Sequence, residues 1–170
     1  MTLDDIDAFV FDFDGVLTNN LVQMDENGRE SVSCSRLDGL AFDVLRKINK
    51  SVYILSTEEN PVVTMRAKKL KIPVIQGVSD KVIAIKELAC KNNYNLKNIL
   101  YVGNDLNDYL VMKICGHTAC PIDSHPAIKK ISNYILNSKG GKGVIRELLE
   151  EKLNLDFIDI LYLKSPIGDQ

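Results

Sequence analysis

No stretch of this sequence approaches the ~20 consecutive apolar residues that a membrane-spanning helix needs, so no such segment is expected. No sign of charge dominates either: 21 Lys and Arg stand against 23 Asp and Glu, a net charge of -2. That leaves no broad basic field to hold nucleic acid or an anionic membrane. The first residues, MTLDDIDAFVF, are acidic where a signal peptide is basic, and a cytoplasmic protein is expected. Cys34, Cys90, Cys115 and Cys120 show no CxxC spacing and read as thiols of a reducing compartment. The spacing of Cys115, His117 and Cys120 is wrong for a zinc knuckle, so buried strand positions are the expectation there. Internal repeats, low-complexity tracts and domain boundaries are missing. With 170 residues, one core leaves little room for a large cap, and a single domain over 1–170 is expected.

What is present is alternation. Short apolar runs at 8–11, 52–55, 72–75, 98–102, 117–120 and 133–136 alternate with helical periodicity at 36–49, 61–71, 80–93, 106–115, 125–131 and 143–153. Such a pattern predicts parallel strands joined by right-handed crossovers, and continuously apolar strands are covered on both faces. The fold class expected is α/β, a Rossmann-like three-layer α/β/α sandwich. Residues 21–34 interrupt it: Asn27-Gly28 between two strand-like arms predicts a β-hairpin with a tight two-residue turn, a small flap, an oligomer contact or a surface excursion with no role. In the tail, 154–170, Phe157, Ile158, Ile160, Leu161, Tyr162 and Leu163 are apolar enough to need cover, from their own domain or a neighbouring subunit.

Residues able to do chemistry follow the apolar runs, at the carboxyl ends of the predicted strands, where open α/β sheets gather their sites. In FDFDGVLT, Asp12 and Asp14 face one crevice as the chain turns at Gly15. Two carboxylates held together suit a caged cation, or a proton kept on one of them, and Mg²⁺ answers both needs. In ILSTEEN, Ser56 and Thr57 offer hydroxyls and amides for phosphate oxygens, or simply cap a helix starting near Pro61. In GVSDK, Ser79 or Asp80 is the cap, and Lys81 sits in the first turn, against the helix dipole. A cation there balances a phosphate and an attacking carboxylate, unless it is a solvated surface lysine. In YVGNDLND, Asn104, Asp105 and Asp108 bring further oxygen ligands to the same rim. Capping accounts for some of these residues and cannot account for all four places together. Lys142 in GGKG lacks the full spacing of a phosphate loop; those glycines are expected to allow a tight approach before the last helix.

The motifs at Asp12-Phe13-Asp14-Gly15, Ser56, Lys81 and Gly103-Asn104-Asp105…Asp108 stand in the order of the haloacid dehalogenase superfamily, which residues 6–153 resemble. With the hairpin and GGKGVIRE, the chain is similar to its capless sugar-acid phosphatase branch, which includes octulosonate 8-phosphate and nonulosonate 9-phosphate phosphatases. The resemblance implies that Asp12 attacks phosphorus to form an aspartyl-phosphate while Asp14 acts as acid and then base. It implies Mg²⁺ held by Asp12, the Asp14 carbonyl and the last motif, with Asp108 behind, and Ser56, Thr57 and Lys81 on the phosphoryl oxygens. Many members carry Asp where this chain has Asn104, so either Asn104 binds through its amide oxygen or Asp105 takes that role. The branch also implies a homotetramer.

Thr57-Glu58 after Ser56, with Arg66 and Lys69, resembles the nonulosonate pattern more than the Gly-Arg of octulosonate enzymes. Arg66 and Lys69 share a helix face and present two cations to a sugar carboxylate, unless RAKKLK is a solvated face. Glu58 is placed to accept from substrate hydroxyls. The expectation is a Mg²⁺-dependent phosphatase of a sialic-acid-type nonulosonate 9-phosphate, with 3-deoxy-D-manno-octulosonate 8-phosphate as the alternative. A non-catalytic oligomerisation domain associated with an acylneuraminate cytidylyltransferase is the alternative of another class.

Overall fold

In the computed structural model, which describes residues 2–163, the chain forms β1 (Ala8–Phe11), β2 (Gln23–Met24), β3 (Glu30–Ser31), β4 (Ser51–Leu55), β5 (Val74–Ile75), β6 (Ile99–Val102), β7 (His117–Cys120) and β8 (Tyr134–Ile135). The helices are α1 (Leu37–Lys47), α2 (Val62–Leu70), α3 (Lys81–Asn92), α4 (Tyr109–Ile114), α5 (Pro126–Ile131) and α6 (Val144–Glu147). Six strands pair in parallel in the order β5-β4-β1-β6-β7-β8, while β2 and β3 form a separate antiparallel hairpin. No described helix is long and apolar enough to cross a membrane.

Successive strand residues point to opposite faces, so each strand feeds two cores. Phe9, Phe11, Ile54, Leu100 and Val102 pack with α1, α2 and α6 on one face. Val10, Leu55, Ile99 and Tyr101 pack with α3, α4 and α5 on the other. The three-layer α/β/α sandwich is thus the observed fold. β1 lies between β4 and β6, in register from Ala8↔Ser51 and Ala8↔Ile99 onward. The chain leaves β1 for β4 across one face and returns to β6 across the other, which makes the carboxyl end of β1 a topological switch point where a crevice opens.

Three expectations need correction. The hairpin turn is not a two-residue turn on Asn27-Gly28: Asp25 N donates to Arg29 O at 3.0 Å, enclosing three residues. A two-residue turn of that type needs positive φ at both central positions. Here Gly28 alone has it, at 75°, and the Asp25 carboxylate fixes the loop by accepting from Asn27 N at 2.8 Å and Arg29 N at 2.9 Å. The helix expected over 106–115 opens as a 3₁₀ turn, Leu106–Asp108, because Asp105 Oδ1 caps Leu106 N at 2.7 Å. Of the tail, Phe157 and Ile160 are covered by their own domain, whereas Ile158, Tyr162 and Leu163 are exposed on the single chain, as the expectation of cover from a neighbouring subunit allows. Residues 164–170 of that tail lie outside the described residues. All four cysteines are free; Cys115 ends α4 rather than standing in a strand, and burial pushes its thiol up to about 12.

Candidate active site

β1 ends at Phe11, and Asp12 N still donates to Val102 O at 2.9 Å, so the first acidic residue leaves the sheet held by the neighbouring strand. Its carboxylate is buried, 3% exposed, and accepts from Phe13 N at 2.7 Å. Lys81 Nζ lies 2.8 Å from Asp12 Oδ1 and 2.7 Å from Asp108 Oδ1. The lysine is itself 4% exposed; Asp80 caps α3 at Val82 N and Ile83 N, which sets Lys81 in the first turn, facing inward. Such burial is tolerable because two carboxylates surround the ammonium. Burial, and the negative Asp108 beyond the lysine, push the Asp12 carboxyl well above the usual range. Burial favours a neutral Lys81, but Asp12 and Asp108 outweigh it and push its pKa up. Lys81 is therefore a charged centre, and the solvated-lysine alternative is excluded.

Asp14 stands at the mouth, half-buried, its carboxyl raised by burial and by the nearby Glu58 charge. Gly15 follows with φ at 79°, and a Cβ on it would lie 1.9 Å from Asn104 Nδ2. Only glycine lets the turn approach that amide. Asn104 is 7% exposed, and its Oδ1 is buried without a hydrogen-bond partner. A buried, unpaired carbonyl oxygen is costly, and a hard cation satisfies it. Asp105, by contrast, is exposed and already engaged at Leu106 N. Among the described residues no three His, Cys, Asp or Glu side chains gather as a metal cage, so any cation held here would draw on neutral oxygen as well as carboxylate. That fits an ion which takes only one or two protein carboxylates and keeps its waters.

Asp12, Asp14, Thr57, Asn104 and Asp105 line one pocket of about 350 Å³ together with Asn20, Leu106 and Asn107. Ser56 is buried, 1% exposed, and its Oγ accepts from Glu58 N at 3.0 Å, so it shapes the loop rather than capping α2. Glu58 is half-buried and accepts from Asn60 N at 2.7 Å. Arg66 and Lys69 are not in this pocket: they line a separate groove of about 930 Å³ between β3, α1 and α2. Arg66 there donates to Ser35 O at 2.8 Å. Lys142 is exposed and outside the pocket lining.

A model of haloacid dehalogenase-like hydrolases matches residues 40–148. The chain belongs to that family. Over 148 residues it is 32% identical to the 3-deoxy-D-manno-octulosonate 8-phosphate phosphatase of Salmonella typhi, covering 86% of this chain and 79% of that one. The crystal structure of the Yersinia pestis enzyme of the same name superposes with a TM-score of 0.83 at 29% identity, over 88% of this chain and 85% of that one. The Moraxella catarrhalis enzyme, in complex with magnesium, phosphate and 3-deoxy-D-manno-octulosonate, gives 0.83 at 27%, over 92% and 87%. The resemblance to the sugar-acid phosphatase branch therefore holds.

Two parts of this family site escape sequence reading. Tyr101, in the middle of β6, donates from its hydroxyl to Asp108 Oδ1 at 2.8 Å. Asp108, fully buried, also accepts from Asn104 N at 2.9 Å through Oδ2. In an apolar strand a tyrosine looks like core; the available signal is that a buried phenol almost always finds a polar partner. Asn20 and Asn107 reach the rim from loops, and nothing in their spacing marks them.

Proposed function

We propose that this protein is a Mg²⁺-dependent phosphatase that hydrolyses 3-deoxy-D-manno-octulosonate 8-phosphate. The carrying observation is the buried Asp12 carboxylate, fixed by Lys81 beside Asp14 and the unpartnered Asn104 oxygen. The relatives described above bear octulosonate names, so that substrate replaces the nonulosonate 9-phosphate as the preferred reading.

In this reading Asp12 attacks phosphorus as the bond to the sugar oxygen breaks, forming an aspartyl-phosphate. Asp14, its carboxyl raised by burial and by the nearby Glu58 charge, protonates the leaving alkoxide. It then takes a proton from the water that attacks the aspartyl-phosphate, releasing phosphate and restoring Asp12. Ser56, Thr57 and Lys81 hold the phosphoryl oxygens, and Asp108 orients Lys81. Asp12, the Asp14 main-chain carbonyl and Asn104 Oδ1 would hold Mg²⁺, with Asp105 the less suited ligand because its carboxylate caps a helix turn. The bound ion supplies charge neutralisation, the main demand of phosphoryl transfer. A homotetramer belongs to the same reading, supported by Leu21, Val22 and Met24, all exposed on the hairpin arm.

Steady-state phosphate release from the octulosonate 8-phosphate and a nonulosonate 9-phosphate, with and without Mg²⁺, tests this. The octulosonate ester is expected to win by about tenfold or more in kcat/KM, a margin that a few polar contacts supply. The reverse preference restores the nonulosonate. No Mg²⁺-dependent release from either ester, or from an activated phosphomonoester, leaves only the oligomerisation domain.

A further inference from the structure

The glycine-rich segment before α6 is not used by the chemistry above, yet it is built against it. A Cβ on Gly140 would lie 2.3 Å from Gly15 O and 2.8 Å from Thr18 O, both main-chain atoms with no flexible end to give way. Gly141 N donates to Val16 O at 2.9 Å. The Asp14–Thr18 turn is therefore gripped from two sides, by Asn104 against Gly15 in front and by Gly140 behind. The grip closes on itself through the loop after β7. Asp123 Oδ1 accepts from Gly140 N at 3.0 Å, and two residues on, His125 N donates to Asn104 O at 2.9 Å. Asn104 meets Gly15, Gly15 meets Gly140, Gly140 N is bonded to Asp123, and the loop that carries both Asp123 and His125 returns to Asn104. Glu147, 7% exposed, ties the segment to α6 by accepting from Asn137 N and Ser138 N, both at 2.6 Å.

We propose that this ring is a positioning brace for the cation site, with Gly140 and Asp123 as positioning residues that set Mg²⁺ affinity without touching the ion. The proposal rests on the Mg²⁺ reading of the site. Mg²⁺ demands near-ideal octahedral geometry, so its affinity registers a small displacement of the Asp14-Gly15 peptide relative to Asn104 Oδ1. Asp123 holds Gly140 by one oxygen, and an asparagine retains that acceptor.

The experiment is Mg²⁺ titration by isothermal calorimetry without substrate, alongside thermal melts, on the full chain. Gly140→Ala is expected to weaken Mg²⁺ binding by about 10- to 100-fold, the usual cost of losing support behind a metal ligand. Gly39→Ala, where a Cβ meets nothing closer than Leu70 Cδ2 at 4.0 Å, is expected to bind as the wild type does. Asp123→Ala is expected to weaken binding and Asp123→Asn to restore it. The brace is overturned if Gly140→Ala melts and binds like the wild type, or if Asp123→Asn is as damaging as Asp123→Ala. Should Gly140→Ala fail to fold, the Asp123 pair decides alone. A wild-type chain that binds no Mg²⁺ overturns the site reading and the brace with it, whereas a wild-type chain that binds while its variants do not differ overturns the brace alone.

Discussion

The strand-end pocket and the groove beside it, lined by Arg36, Arg46, Arg66, Lys69 and Lys71, differ in how their charges are held. Asp12 at the pocket, and Lys81 and Asp108 buried beyond it, are each under 5% exposed and locked into one ion-paired chain by main-chain donors and Tyr101. In the groove, Lys69 is exposed and Arg66 half-buried, held by its bond to Ser35 O, and charges this near water are more screened than those of the buried chain. Fixed charge suits a reaction in which electrostatic stabilisation does most of the work, because no reorganisation is needed as charge develops. Screened charge suits recognition of a substrate group. Glu58 and Glu30 join the two regions, since Asn60 N donates to Glu58 Oε1 at 2.7 Å and Asn60 Nδ2 to Glu30 Oε2 at 2.9 Å.

The sharpest way to break this contrast is to remove the nucleophile. Asp12→Asn keeps the shape and is expected to lower kcat by at least ~10⁴-fold, as loss of a covalent nucleophile does elsewhere. Phosphate release measures it, and turnover within tenfold of wild type would place the chemistry elsewhere. Next is Asp108→Ala, which strips Lys81 of one of its two partners and Tyr101 of its acceptor. Breaking a buried pair from one side typically costs about 3–5 kcal/mol, so urea unfolding should show that loss as well as lost activity. A loss under about 1 kcal/mol, the size of an exposed pair, means the ion-paired chain is not held as described.

On the groove side the expected effect is smaller and confined to binding. Arg66→Ala should raise KM for the sugar-acid ester about tenfold, equivalent to ~1.4 kcal/mol, while leaving kcat within about twofold. An activated phosphomonoester without a carboxylate should be indifferent to the change. Equal effects on both substrates would make Arg66 a support of the fold through its bond to Ser35 O, and not a recognition residue.

The same contrast explains what could be read from the sequence. The six sheet strands and their helices were legible because apolar runs and helical periods alternate cleanly, and the runs fell within two residues of the observed strands. Asp12, Asp14, Asn104 and Asp105 were legible as pocket residues because each follows a strand closely, leaving little freedom in where it points. The substrate reading of Arg66 and Lys69 rests on resemblance and on helical periodicity, and periodicity gives the face of a helix and not the pocket that the face borders. The Asn27-Gly28 turn misled because the dipeptide signal ignores Asp25, whose side chain captures two loop amides. Tyr101 and Asp123 were invisible for another reason: their roles come from partners 7 and 17 residues away that only the packed fold brings near.

On the groove side, Asp38 in the first turn of α1 is a fully buried carboxylate with no cation paired to it among the described residues. Its Oδ1 accepts from Ile145 N at 2.9 Å and Arg146 N at 3.3 Å at the start of α6, while its Oδ2 is buried without a partner. Burial outweighs those amides and the more distant Arg66 charge, and raises the carboxyl from 3.8 to about 6. A carboxyl that holds its proton more tightly in the fold than in the unfolded chain favours the fold at low pH. That advantage is complete below 3.8 and is lost as pH rises through about 6, so ionised Asp38 strains the fold at neutral pH. Asp38→Asn keeps an acceptor for Ile145 N and removes the charge. Some gain is offset because a neutral oxygen accepts from amides more weakly than an anion, leaving a net stabilisation of about 1 kcal/mol near neutral pH. Melting curves of both proteins at about pH 4 and pH 7.5 check it: the variant should gain only at the higher pH. A gain that is the same at both would mean that Asp38 ionises in the fold as readily as an exposed carboxylate, and that the groove side tolerates an unpaired buried charge as the pocket does not.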